Sequence, residues 1–468
     1  MLYFSVRLCY NIVRKKGKGM KNTMNMTEGS ILRKLIYFAV SVLIGNIFQQ
    51  LYNVADTAII GNLLGDNALA SVGAAAPVYN LLIGFAGGLT NGFAVIIARH
   101  FGAGDEKSMK KSVSLTYVLS AVIALVLTAV GLMGLHPLMK ALKTPDSIID
   151  GTESYMRIII LFSCVTIAYN MLAGMMRAIG NSKAPLYFLV VSTFANIALD
   201  ILFVKTFRMG IAGAAYATVI SQGLSAVLCV IYVVRKCGIL VFRKSELELD
   251  RQMLSDLTST GLSMGLMYAI VSVGSVILQR AVNSFGTATI TAHSAARKID
   301  DIFMLPLGTI AMACSTFASQ NYGAGRIDRV KQSIRYGFMI TSVWSAFSVV
   351  VCVLFRVPLI RALTGTTDPE VISTASRYII WNIVFFFILG ILLVLRSSLQ
   401  GVGRKLVPVT GSVVEFLLKL FAAAFLAPKL GYFGICILEP VIWIVCALIV
   451  VADYCAFVRK MAVRPAYA

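Results

Sequence analysis

Two carboxylates stand in runs where an apolar sequence should have none. Asp56 lies in "LYNVADTAIIG" (51–61) and Asp200 ends "NIALD" (196–200), each within a run long enough to cross a bilayer. A charge at that depth costs several kcal/mol unless it is paired or hydrated, so each needs a chemical reason. Gln49, Asn53 and Asp56 recur at i, i+4 and i+7, with Asn46 one turn earlier, and Asn196 and Asp200 share a face at i, i+4. At about 1.5 Å per residue, Asp56 lies roughly 6 Å and Asp200 roughly 8 Å inside the outer ends of their spans. Thr218, on a span running inward from residue 212, lies roughly 9 Å below the same surface. Three oxygen-bearing side chains at one depth suit a hard monovalent cation, and two close carboxylates resist double ionisation, which suits proton exchange.

The elements that must hold these groups are legible in composition. The chain has 468 residues, 58% of them hydrophobic and 13% charged, with a mean hydropathy of +0.83, which excludes an ordinary soluble domain. Twelve apolar runs near the length needed to cross a hydrocarbon core predict spans at 36–60, 68–97, 113–135, 155–176, 186–205, 212–234, 256–280, 287–316, 334–355, 376–396, 407–427 and 434–457. The net charge of +21 would suit nucleic acid if it were gathered on one face, but the Lys and Arg alternate between loops. Most of the 42 fall in the segments that are inner if the N-terminus is cytoplasmic, so both termini are expected in the cytoplasm of a cell-membrane protein, with lipid and no nucleic acid as partners. "MLYFSVRLCYNIVRKKGKGMKN" lacks the order of a signal peptide and reads as a disordered tail, with a later start at Met20, Met24 or Met26 as the alternative. Nine scattered Cys without a C-x-x-C pair read as small core hydrophobes, and His100, His136 and His293 are too dispersed for catalysis. No nucleotide-binding or hydrolase motif is present, so no enzyme activity and no cofactor are expected.

The chain is written twice. "FGAGDEKSMKKSV" (101–113) recurs as "YGAGRIDRVKQSI" (322–334) at an offset of 221, and "RAIGNSKAP" (177–185) recurs as "QGVGRKLVP" (400–408) at 223. Gly210 and Gly213 then align with Gly431 and Gly434, again at 221. Six spans per half give both halves one orientation, which predicts two lobes related by an axis along the membrane normal. The expected division is a tail at 1–33, a first lobe at 34–234, a linker at 235–252, a second lobe at 253–458 and a tail at 459–468. The second half differs in its interior charges: Arg297, Lys298 and Lys419 against Asp300, Asp301, Glu415 and Glu439. Arg297 can pair with Asp300 or Asp301, and Glu415 with Lys419, by helical spacing. Neutralisation within a helix and a polar cavity wall, with Gln49, Asn53, Asn170 and Gln279 as further lining, are the two readings of these groups.

"QQLYNVADTAIIGNLLGDNALASVG", the "GAG" after spans two and eight, "RAIGNSKAP", "NIALD" and "FASQNYGAG" together resemble the multidrug and toxic compound extrusion (MATE) family from about residue 30 to 458. The resemblance implies an all-α membrane protein of twelve helices in two six-helix lobes around a central cleft, a monomer that rocks between outward-open and inward-open states. It implies export of organic, often cationic, drugs or toxic compounds in exchange for H+ or Na+, and the family's cation site falls on Asp56, Asn196, Asp200 and Thr218. The chain looks closer to the DinF-like branch, because spans seven and ten lack the carboxylates of the NorM-like branch and Gln279 is the nearest polar residue. Ser41 stands where family members commonly have a proline, which puts a proline-kinked first helix in doubt. A lipid-linked precursor flippase, with Arg297, Lys298 and Lys419 holding a phosphate, is the alternative.

Overall fold

The computed structural model describes residues 23–142, 144–248 and 250–463, the side chains of 462 and 463 excepted. Residues 1–22 and 464–468, which fall in the two expected tails, lie outside the described residues. The described chain is helical: α1 (Ile31–Leu64), α2 (Asp66–Ala103), α3 (Glu106–Ala141), α4 (Asp146–Leu161), α5 (Ser163–Ala178), α6 (Lys183–Asp200) and α7 (Gly210–Lys236) form the first half. The second half repeats the pattern with α8 (Arg251–Asn283), α9 (Thr287–Gly323), α10 (Ile327–Thr364), α11 (Pro369–Ile383), α12 (Phe386–Gly401), α13 (Leu406–Phe421), the single turn α14 (Ala427–Leu430) and α15 (Tyr432–Val463). Ten helical spans, α13 and α14 making one between them, are each long and apolar enough to cross a membrane, and the bent pairs α4/α5 and α11/α12 bring the crossings to twelve.

Those two bends correct the continuous spans expected at 155–176 and 376–396. Each pair meets at 50°. Val165 N–H bonds to the Phe162 carbonyl, and Phe385 and Ile388 N–H groups reach only three residues back, so the α-helical ladder is locally replaced and the axis turns. Hydropathy is continuous through both bends and carries no trace of them. Helices α2, α3, α9 and α10, of 36 to 38 residues, also outrun their expected spans. They exceed 50 Å at about 1.5 Å per residue, against a hydrocarbon core of about 30 Å, and so extend beyond it. The projecting start of α3 is built for water: Asp105 accepts from Ser108 N–H at 2.9 Å, which holds its carboxyl below the usual range, and Lys110 pairs with Glu106.

By contacts the described residues divide into two compact units, 23–25 with 44–261, and 26–43 with 262–463. The division departs from the halves 34–234 and 253–458 at both helix starts. Leu35, Phe38 and Val42 of α1 pack with Leu278, Val282 and Phe317 in the second unit, and Met253 and Leu257 of α8 pack with Leu89, Phe93 and Leu115 in the first. The 235–252 segment likewise belongs to the first unit: Leu240 is fully buried, Tyr117 donates to its carbonyl at 3.2 Å, and Lys111 pairs with Glu248. Within the first unit α2 packs on α4 and α5, and α6 on α7; within the second α9 packs on α10, α11 and α12.

The start of α8 crosses α2 at backbone contact. A Cβ on Gly92 would come within 2.6 Å of Gly261 Cα and 2.7 Å of the Thr260 carbonyl oxygen, atoms that no rotamer change can move. Close approach of this kind is what small residues allow between membrane helices. Gly92→Ala is therefore expected to destabilise the first unit by about 1–3 kcal/mol, the usual cost of overpacking. A thermal unfolding curve in detergent that matches the parent would refute this crossing.

Candidate functional site

The first unit brings together Asp56, Asn196, Asp200 and Thr218. Asp56 sits on the second half of α1, where from residue 46 onward Tyr52, Asp56 and Ile60, at i, i+4 and i+8, are the buried positions. Asn196 and Asp200, both fully buried, come from the last turns of α6, and Thr218, 2% exposed, from α7. Directly after Asp200 the backbone widens into a π-helical turn, Ile201–Thr206, which Phe207 closes by donating to the Leu202 carbonyl. Such turns recur where a helix must offer polar groups inward.

The carboxyl groups of Asp56 and Asp200 approach within hydrogen-bonding reach of each other. Two carboxylates offer only acceptors, and Asp56 Oδ1 and both Asp200 oxygens have no donor. Asn196 is near enough to interact with Asp200, yet neither end of its amide meets hydrogen-bond geometry. Thr218 is better anchored: Tyr52 Oη donates to its Oγ1 at 2.9 Å, and Tyr155 also reaches it. Tyr79 lies close to Asp56 and bonds Gln222, which accepts in turn from Thr166.

Buried polar groups in proteins are nearly always satisfied, so orphan oxygens at one point mark a place that lacks a positive partner. A proton shared between the two carboxyls, or a small cation held by Asp56, Asp200, the Asn196 oxygen and Thr218 Oγ1, would satisfy them. The donors are hard oxygens, and among the described residues no group of three or more His, Cys, Asp or Glu could hold a transition metal.

Three phenols at the site were missed by reading the sequence. Tyr52 was within reach, one helical turn before Asp56 on the same face. Tyr79 and Tyr155 come from α2 and α4, and only packing brings them near. Conversely Asn53, grouped with Asp56 by spacing, is exposed and donates to Gln50 Oε1 at 3.3 Å, while Gln49 is half-buried. Gln279 is exposed and bonded to Asn283, and Asn170 is half-buried on α5. Ser41, where a proline was the alternative, is buried and donates to the Tyr37 carbonyl, within a helix that runs unbroken.

The second unit holds a different constellation. Lys419, with 3% of its side chain exposed, lies 2.8 Å from Glu415 and 3.7 Å from Glu439. Arg297 lies 3.6 Å from Asp301 and 3.8 Å from Glu439, and 3.5 Å from Tyr378 Oη. Asp300, read as a partner of Arg297, instead points into the core with both oxygens unbonded, whereas Asp301 and Lys298 are exposed. His293 is a packing histidine, 3.1 Å from Tyr432 Oη and edge-on to Tyr378 and Tyr432.

The sequence as a whole is similar to known proteins. The probable multidrug resistance protein YpnP of Bacillus subtilis (strain 168) is 28% identical over 88% of this chain and 92% of its own. The probable multidrug resistance protein NorM of Thermotoga maritima is 25% identical over 89% and 90%. Among solved structures, a MOP superfamily transporter from Pyrococcus furiosus Vc1 (DSM3638) superimposes with a TM-score of 0.87 at 20% identity, over 96% of this chain and all of that one, a likeness of fold. The MatE family model matches residues 42–202 and 264–425, one match in each half of the repeat. The twelve crossings, the doubled architecture and these matches agree, and the chain belongs to the MATE family of multidrug efflux transporters.

Proposed function

We propose that the protein is a secondary active antiporter of the cell membrane, with both termini cytoplasmic, that exports amphipathic organic cations or related toxic compounds in exchange for H+ or Na+. The observation that carries this reading is the facing pair Asp56 and Asp200, buried together with three of their four carboxyl oxygens lacking a donor. Two like charges about 4 Å apart repel by about 4 kcal/mol at an effective dielectric near 20. Loading one proton or cation replaces that repulsion with attraction and draws α1 toward α6. A shift between a 1:99 and a 99:1 population needs about 5.5 kcal/mol of differential binding, which ion loading at this pair would have to supply by favouring one conformation. Thr218, positioned by Tyr52, adds a neutral oxygen to the site. That relatives are described as multidrug resistance proteins supports drug-like substrates.

The flippase reading needs free basic groups for a phosphate, yet Lys419 is enclosed by two glutamates and Arg297 lies against Asp301 and Glu439, which leaves the exposed Lys298.

Purified protein in liposomes, given a Na+ gradient or a pH gradient in separate runs, should drive a fluorescent cationic dye across the bilayer with one of them, and Asp56→Asn should abolish the movement. Dye transport that needs neither gradient, or that survives Asp56→Asn, would remove the carboxylate pair from the mechanism.

A further inference from the structure

The repeat is deeper than its glycines. Both α6 and α13 run into a π-helical turn, Ile201–Thr206 and Ala422–Leu426, whose starts are 221 residues apart, the offset of the glycine landmarks. Thr218 aligns with Glu439 at the same offset, and Tyr155 aligns with Tyr378 at 223, the offset of "RAIGNSKAP" and "QGVGRKLVP". The change between offsets falls in α6 and α13, of 18 and 16 residues. Counted from the starts of those helices, Ser192 and Asn196 correspond to Glu415 and Lys419. The buried constellation of the second unit is thus the counterpart of the carboxylate pair in the first, with a changed donor set.

In the first unit the acids are Asp56 and Asp200, accompanied by an amide and a hydroxyl. In the second the amide has become an ammonium and the hydroxyl a carboxylate. Lys419 Nζ lies between Glu415 and Glu439, at 2.8 and 3.7 Å, with Ser275 Oγ at 3.5 Å. The groups facing Lys419 are Glu415 on its own helix, Glu439 and Cys446 from α15, and Arg297 from α9. The stem is given room: a Cβ on Gly274 would come 3.0 Å from Lys419 Cδ, so α8 is open to the lysine at the point where it passes.

We propose that Lys419 is a resident cation: its ammonium occupies in the second lobe the place that an exchangeable ion takes in the first, so that the second lobe binds no ion and one lobe alone is ion-driven. This rests on the first-lobe site of the preceding section. A buried ion pair that served only packing could be any pair of opposite charges. One that stands in for an ion makes a distinctive demand, that removing the ammonium leaves a site which a free cation or a proton fills.

The test uses the full chain in detergent with Asp56→Asn and Asp200→Asn as parent, so that the first-lobe acids contribute nothing. The melting temperature is followed from sodium-free to sodium-saturated buffer, with choline holding ionic strength constant, and from neutral to acid pH. The parent should not respond to Na+. Lys419→Met in that parent should gain at least about 2 °C on adding Na+ or on acidification. The charge-balanced pair Lys419→Met with Glu439→Gln should lose that response. A parent stabilised by Na+ as strongly as Lys419→Met, or a Lys419→Met protein indifferent to both ions, overturns the proposal. If Lys419→Met alone does not fold, a folded and ion-indifferent balanced pair supports it, and a balanced pair that also fails counts against it. The readout is independent of transport, so its failure is separate from any failure of Asp56→Asn to stop dye export.

Discussion

Asp200→Asn is expected to abolish gradient-driven export while leaving protein level and melting temperature equal to or above those of the parent. The substitution keeps shape and removes the ability to ionise. It also gives the fully buried position a donor, which the neighbouring Asp56 carboxylate, one of whose oxygens lacks any, can accept. A new hydrogen bond to a buried, unsatisfied carboxylate contributes about 1–3 kcal/mol. The site is then held permanently in the condition that a bound proton would create, and the ion no longer biases one conformation over the other. Loss of transport together with retained or raised stability is the signature to look for. A destabilised protein would mean that Asp200 is structural, and full transport would mean that the ion is bound elsewhere. Asp200→Glu, which keeps the charge but adds a methylene beside the π-helical turn, is expected to retain partial transport.

Much of this was legible before any coordinates, for a physical reason. Asp56, Asn196, Asp200 and Thr218 announce themselves because a bilayer makes polar groups rare, and the depth at which each lies follows from counting residues along a helix of fixed rise. The same rule fails for groups that apolar sequence conceals. The bends at Phe162 and Phe385 sit inside continuous hydropathy, and they alter hydrogen bonding without altering composition. Tyr79 and Tyr155 look like ordinary apolar residues until packing sets them beside Asp56 and Thr218. Helical spacing placed Asp300 and Asp301 equally well for Arg297, and only the structure distinguishes the exposed partner from the buried, unbonded one. The swapped ends of α1 and α8 were beyond reach, because a hydrophobic face does not say which neighbour it will cover.

The segment before α1 falls in the expected cytoplasmic tail, 1–33, and within it residues 26–29 are tied down by side chains of the second unit. Arg329→Ala is expected to release them. Arg329 Nη2 donates to the carbonyls of Met26, Glu28 and Gly29, each at 3.1 Å, and its Nε donates to Asn321 Oδ1 at 3.0 Å. Asn321 and Gln320 complete the grip by bonding the Met26 carbonyl and N–H, and Arg326 donates to Thr27 at 2.8 Å. Three carbonyls ahead of a helix have no partner in regular structure, and a guanidinium, with its planar fork of donors, suits them better than an ammonium would. The device belongs to one half only: at the offset of 221 Arg329 corresponds to Ser108, which serves in the cap of α3. Because Glu28 and Gly29 are exposed, water will replace part of what is lost, and the expected cost is about 2 kcal/mol. Limited proteolysis should cut Arg329→Ala between residues 23 and 30 well before the parent, and Arg329→Lys should be intermediate. Since α1 starts at this anchorage and carries Asp56 further along, a released segment is also expected to weaken the coupling of ion to transport. Equal cleavage and equal melting temperatures in parent and variant would show that the segment is held without Arg329, by the bonds from Gln320, Asn321, Arg326 and Lys34 and by the packing of Met26.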